Sequence, residues 1–129
     1  MSKYWKGAHT KFRLMYHIVW IPKYRKRVLS GRIAKRVEEL LCECAEVNNW
    51  KIEELNICED HIHMLVQLRQ NISVSKAVQI FKGGSSKKIR EEFDLKEFLW
   101  GDSFWADGYF AETFGKFDES VIREYIKNQ

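Results

Sequence analysis

The stretch Asp60-His61-Ile62-His63-Met64-Leu65-Val66-Gln67-Leu68 decides how this chain is read. Ile62, Met64, Val66 and Leu68 alternate with His61, His63, Leu65 and Gln67. Side chains in a strand point to opposite faces in turn, so this pattern predicts a strand over 61–68 with one face in a core. The isoleucine, methionine and valine take that face. Both imidazoles then lie together on the other face, where two nitrogens can share one divalent cation. Two polar residues on a solvated strand are the other reading of the same pair.

Working outward, Glu59-Asp60 reads as a turn, and Trp50–Cys58 before it as a second strand whose alternation is imperfect. Ile33, Val37, Leu40, Leu41, Cys44 and Val47 recur at helical spacing and predict a helix from about Gly31 to Asn48. Phe12–Ile21 reads as the first strand, stopped by Pro22. Downstream, Ser73 is a good N-cap for a helix carrying Val74, Ala77, Val78 and Phe81. Gly83-Gly84-Ser85-Ser86 interrupts that pattern before Ile89 and Phe93 resume it, which allows one kinked helix or two short ones. After a connection over 94–102, Phe104–Phe114 reads as a strand ended by Gly115. Asp118 can cap a last helix bearing Val121, Ile122, Tyr125 and Ile126. The order β-α-β-β-α-β predicts an α+β, ferredoxin-like fold: a four-stranded antiparallel sheet with two helices on one face.

The 129 residues fit a single domain spanning 1–129, and an apolar fraction of 45% excludes a disordered chain. Lys and Arg number 22 against 18 Asp and Glu, a net charge of +4 that permits an anionic partner without demanding one. No stretch is apolar enough to span a bilayer, and the first ten residues lack the apolar run of a signal peptide. With three cysteines, Cys42, Cys44 and Cys58, which cannot all pair within one chain, these features predict a cytoplasmic protein with no membrane partner.

Three further features could carry chemistry. Tyr125 and Gln129 lie four apart on the expected last helix and so share a face. A phenol has a pKa near 10 and attacks usefully only at a strongly polarised centre, such as a phosphate held by a metal; a glutamine oxygen can be a neutral ligand. Lys23-Tyr24-Arg25-Lys26-Arg27 groups four cations around a ring, and Lys82-Gly83-Gly84-Ser85-Ser86-Lys87-Lys88 mixes cations, hydroxyls and glycines. From these runs, Lys23, Tyr24, Arg25, Lys82, Ser85 and Ser86 are candidates for contact with a nucleic-acid backbone, with Tyr24 stacking on an unpaired base. The glycines do not have the Walker spacing, which excludes that nucleotide-binding loop. Taken singly, each feature also has a plain reading: a tyrosine packed on the sheet, a solvated basic turn, a helix break.

Together with Tyr16-His17-Ile18-Val19-Trp20-Ile21-Pro22-Lys23-Tyr24-Arg25, Asp60-His61-Ile62-His63-Met64-Leu65, Gly108-Tyr109-Phe110 and Tyr125-Ile126-Lys127-Asn128-Gln129, these stretches fall in one order along the chain. In that order the sequence resembles the single-tyrosine HUH transposases of the IS200/IS605 insertion-sequence family. The resemblance implies the HUH version of the ferredoxin-like fold, with His61 and His63 as metal ligands, Gln129 as a further ligand and Tyr125 as the nucleophile. It implies a homodimer that cleaves and rejoins single-stranded DNA through a 5′-phosphotyrosine and recognises DNA hairpins. The cofactor expected for two imidazoles, an amide oxygen and waters is Mg²⁺ or Mn²⁺. Glu59 and Asp60 are close enough in sequence to orient an imidazole. Other readings are a domesticated relative acting on chromosomal hairpin repeats, a replication or conjugation nickase, and a non-catalytic ferredoxin-like domain that binds single-stranded nucleic acid.

Overall fold

The computed structural model describes residues 5–6, 11–12, 14–95, 103–114, 124 and 126–127. Tyr125 and Gln129 lie outside the described residues, as do Gly115, Asp118, Val121 and Ile122. Strands β1 (Trp5–Lys6) and β2 (Lys11–Phe12) pair as a short ribbon. The main sheet contains β3 (Met15–Trp20), β4 (Lys51–Cys58), β5 (His61–Gln67) and β6 (Phe110–Phe114), in the spatial order β4-β5-β3-β6. All three pairings are antiparallel. Helix α1 (Gly31–Val47) joins β3 to β4, and α2 (Val74–Glu92) joins β5 to β6. This is the split β-α-β, ferredoxin-like architecture, with β3 and β5 at the centre of the sheet.

Register divides the strand residues between two faces. Trp20 pairs with Ile62, Ile18 with Met64 and Tyr16 with Val66, so these six side chains share one face. Except for the partly buried Tyr16, they are at most 1% exposed and pack with Val37, Leu41 and Ala45 of α1 and Ala77, Val78, Phe81 and Ile89 of α2. The imperfect alternation of β4 is a bulge between Ile52 and Glu54. It lets Ile52, Leu55 and Ile57 all pack toward this core despite their uneven spacing.

Three elements differ from the sequence expectation. Phe12 belongs to the ribbon, where it pairs with Trp5, and β3 begins at Met15. The second helix is neither broken nor doubled at Gly83-Gly84; α2 runs through both glycines. Ala77, Phe81, Ser85 and Ile89, four apart, form a buried ridge, and the Ser73 hydroxyl caps the start by accepting from Lys76 N at 3.0 Å. Tertiary burial thus overrides a glycine penalty of about 1 kcal/mol each. The last strand is shorter than 104–114 and starts at Phe110. Phe104 and Trp105 are aromatic because they fill the core from a loop, not because they lie in a strand.

Candidate active site

On the sheet's second face, β3 contributes His17, β5 His61 and His63, β4 Asn56, and β6 Glu112. His61 and His63 sit as the alternation predicts, with ring centroids 4.8 Å apart and planes nearly perpendicular. Each ring is held through Nδ1. His61 Nδ1 is 2.7 Å from Asp60 Oδ1, and the other carboxylate oxygen of Asp60 accepts from Arg25 Nε at 3.0 Å. An ionised carboxylate only accepts, so Nδ1 of His61 carries a proton, and in the neutral ring Nε2 is then the nitrogen that keeps the lone pair. Hydrogen bonding to His61 and the nearby Arg25 guanidinium hold the Asp60 carboxyl below its usual range. His63 Nδ1 lies 3.2 Å from His17 Nε2.

His17 joins the site although the motif of 60–68 alone does not assign it there. The signal was present: His17 alternates with Ile18, so it must share the face of His61 and His63 once β3 pairs with β5. His17 is 6% exposed, and its Nδ1 faces Glu112 Oε2 at 3.6 Å. Burial pushes its pKa down, against the opposing pull of Glu112. Among the described residues, no three His, Cys, Asp or Glu side chains gather as a metal cluster. Two imidazoles anchored through Nδ1 would fit one side of a site for a divalent ion.

Ile126 and Lys127 dock on this same face. Ile126 is 1% exposed and packs with Met15 and Leu65, which explains why Leu65 is buried on the face away from the helices. Asn56, the cross-strand partner of His63, donates from Nδ2 to the Ile126 carbonyl at 2.8 Å, and Lys127 Nζ lies 3.6 Å from Glu54. The residue preceding Ile126 in sequence is Tyr125.

The residues expected at nucleic acid divide into two groups. Tyr24 is 65% exposed, with Lys23 Nζ 5.6 Å from its ring centroid. Tyr24 and Arg25 adopt left-handed backbone, φ 60° and 52°, which turns the chain so that Arg25 reaches Asp60 beside His61. The second group lies on α2, and the structure corrects one member of it, Ser85. Ser85 is buried, donates to the Phe81 carbonyl at 2.6 Å and accepts from Trp105 Nε1 at 2.8 Å. It is a core residue and presents no hydroxyl to a ligand. Ser86 Oγ accepts from Phe104 N at 3.1 Å, and Lys82 Nζ donates to the carbonyls of Ala106 and Gly108 at 2.8 and 2.6 Å. These three side chains fasten the loop that leads into β6; burial accordingly pushes the Lys82 pKa down. Between that loop and α2 lies a groove of about 540 Å³ whose lining includes Lys87, Arg90 and Tyr109.

The family sequence pattern described as "Transposase IS200 like" matches residues 10–129. The transposase for insertion sequence element IS200 of Salmonella typhimurium is 40% identical over 123 residues, covering 95% of this chain and 80% of that protein. The ISDra2 transposase TnpA of Deinococcus radiodurans is 30% identical over 125 residues, covering 96% of this chain and 89% of that one. Among solved structures, a candidate transposase from Deinococcus radiodurans superposes with a TM-score of 0.79 at 28% identity, covering 97% of each chain. The fold is also that of a REP-associated tyrosine transposase bound to a REP hairpin, with a TM-score of 0.66 at 12% identity over 98% of this chain and 70% of that one. With its sheet, its paired histidines and a match along nearly its whole length, this chain belongs to the IS200-like transposase family.

Proposed function

We propose that this transposase cleaves and rejoins single-stranded DNA by attack of Tyr125 on a phosphodiester held at His61 and His63. One observation carries the reading: Ile126 and Lys127 dock on the sheet face that bears the histidines, fastened by Asn56 from the strand beside His63. Short-range sequence linkage then gives the Tyr125 phenol a route to that face, in its own protomer or in a dimer partner.

In this reading His61 and His63 offer Nε2, with Gln129, to Mg²⁺ or Mn²⁺. When bound, such an ion supplies charge withdrawal at a non-bridging phosphate oxygen. Tyr125 forms the bond from its phenol oxygen to phosphorus while the bond from phosphorus to the 3′ oxygen breaks. The products are a 5′-phosphotyrosine and a 3′-hydroxyl. Phosphodiester energy is retained, so a 3′-hydroxyl from another strand can reverse the step without ATP. A single tyrosine holds a single DNA end, and exchange of two ends therefore calls for a homodimer. Hairpin recognition follows the REP-associated relative, whose structure contains a hairpin. The exposed Tyr24 and the cationic groove beside Lys87 and Arg90 supply stacking and phosphate contacts.

Incubating wild type and Tyr125→Phe with a 5′-labelled and a 3′-labelled single-stranded oligonucleotide carrying a hairpin and Mn²⁺ tests this. Wild type should retain the fragment on the 3′ side of the cut as a denaturation-resistant adduct, and the variant should form none. An adduct of equal yield in the variant places the nucleophile elsewhere.

A further inference from the structure

His63 differs from His61 in how it is held. His61 leans directly on a carboxylate, whereas behind His63 stands another imidazole. The His17 and His63 rings are 6° from parallel, with centroids 5.5 Å apart and the facing nitrogens 3.2 Å apart. That centroid separation equals the nitrogen contact plus one ring radius at each end. The rings therefore lie edge to edge in one plane, with the N–H of one along the in-plane lone pair of the other, and are not stacked. This is the geometry of a hydrogen bond, and its direction decides which nitrogen of His63 keeps a lone pair.

The surroundings bias that direction. Glu112 Oε2 lies 3.6 Å from His17 Nδ1, beyond hydrogen-bond length but close enough for a negative charge to favour a proton there. With the proton on Nδ1, His17 Nε2 accepts, His63 Nδ1 donates, and His63 Nε2 is left as the metal-facing nitrogen. We propose that His17 is a positioning residue that, backed by Glu112, fixes the tautomer and ring plane of His63 for metal ligation. The metal part rests on the function proposed above; the tautomer part does not. His17 touches neither phosphate nor ion in this scheme and acts only through His63.

The two parts separate in one experiment. Nitrogen-15 NMR of the metal-free full chain at about pH 8, above the ordinary imidazole range, reports the proton position on each ring. Mn²⁺ titration followed by electron paramagnetic resonance then reports affinity. Wild type should show His63 protonated on Nδ1. His17→Leu, which removes the acceptor, should give a mixed His63 tautomer and weaken Mn²⁺ by about 10–100-fold. His17→Gln restores an acceptor and should recover much of both. Glu112→Gln, at an exposed side chain, guards against misfolding of the buried variants and should shift the His17 tautomer with a smaller loss of affinity. If His63 is protonated on Nε2 in wild type, or if His17→Leu leaves tautomer and affinity unchanged, the proposal is overturned. If wild type binds no Mn²⁺, the metal reading falls, and the His63 tautomer in wild type and His17→Leu alone decides for or against the positioning role of His17.

Discussion

The two faces of one sheet are built from the same strands on opposite terms. On the helix-covered face, Ile18, Trp20, Ile62, Met64 and Val66 are sealed beneath α1 and α2. One residue away along each strand, His17 and His63 are hydrogen-bonded to each other and His61 to Asp60, a largely buried polar cluster beside an apolar contact of Met15, Leu65 and Ile126. The first face carries stability through buried area, and the second can take on the proposed chemistry at little cost because the first does not depend on it. Neighbouring residues of β5 should therefore respond to substitution in unlike ways.

The largest effect expected is at Met64. Met64→Ala opens a cavity in the fully buried core and should lower unfolding free energy by about 2–5 kcal/mol in urea titration. A loss comparable to that of an exposed residue would break the comparison by showing that the helix-covered face is not the support. A smaller effect is expected at Asn56. Asn56→Ala removes the hydrogen bond to the Ile126 carbonyl, a net change of about 1 kcal/mol. Because that bond fastens the docked segment and not the sheet, hydrogen exchange should accelerate at Ile126 and Lys127 while β3 and β5 keep their protection. Unchanged exchange at Ile126 would mean that the apolar contact alone holds the segment.

The division between faces was legible in the alternation of 61–68, since each of those side chains has only two directions to choose from. The helix of 31–47 was legible for the same reason at a different period. What escaped depended on partners far along the chain. The bulge in β4 exists only against β5. Gly83-Gly84 argues locally for a break, but the ridge of Ala77, Phe81, Ser85 and Ile89 needs the sheet before it can favour continuity. The burial of Ser85 was not legible because its partner Trp105 is about twenty residues away, as are the Ala106, Gly108 and Phe104 backbone groups that bond Lys82 and Ser86. The histidine pair was read directly, and Asp60 followed from adjacency. His17 and Glu112 required the pairing of β3 with β5 and β6. Tyr125 and Gln129 rest on the family resemblance and on the docking of their neighbours.

The most direct measurement is thermal unfolding of wild type and the double variant His61→Ala, His63→Ala over a range of Mn²⁺ concentrations. Without metal, the double variant should melt cooperatively near wild type, because the helix-covered face is untouched. With metal, wild type should gain stability as a saturable function of concentration, and the double variant should gain none. Equal stabilisation of both proteins, or no stabilisation of wild type, would contradict a metal-holding histidine face on a separately supported sheet.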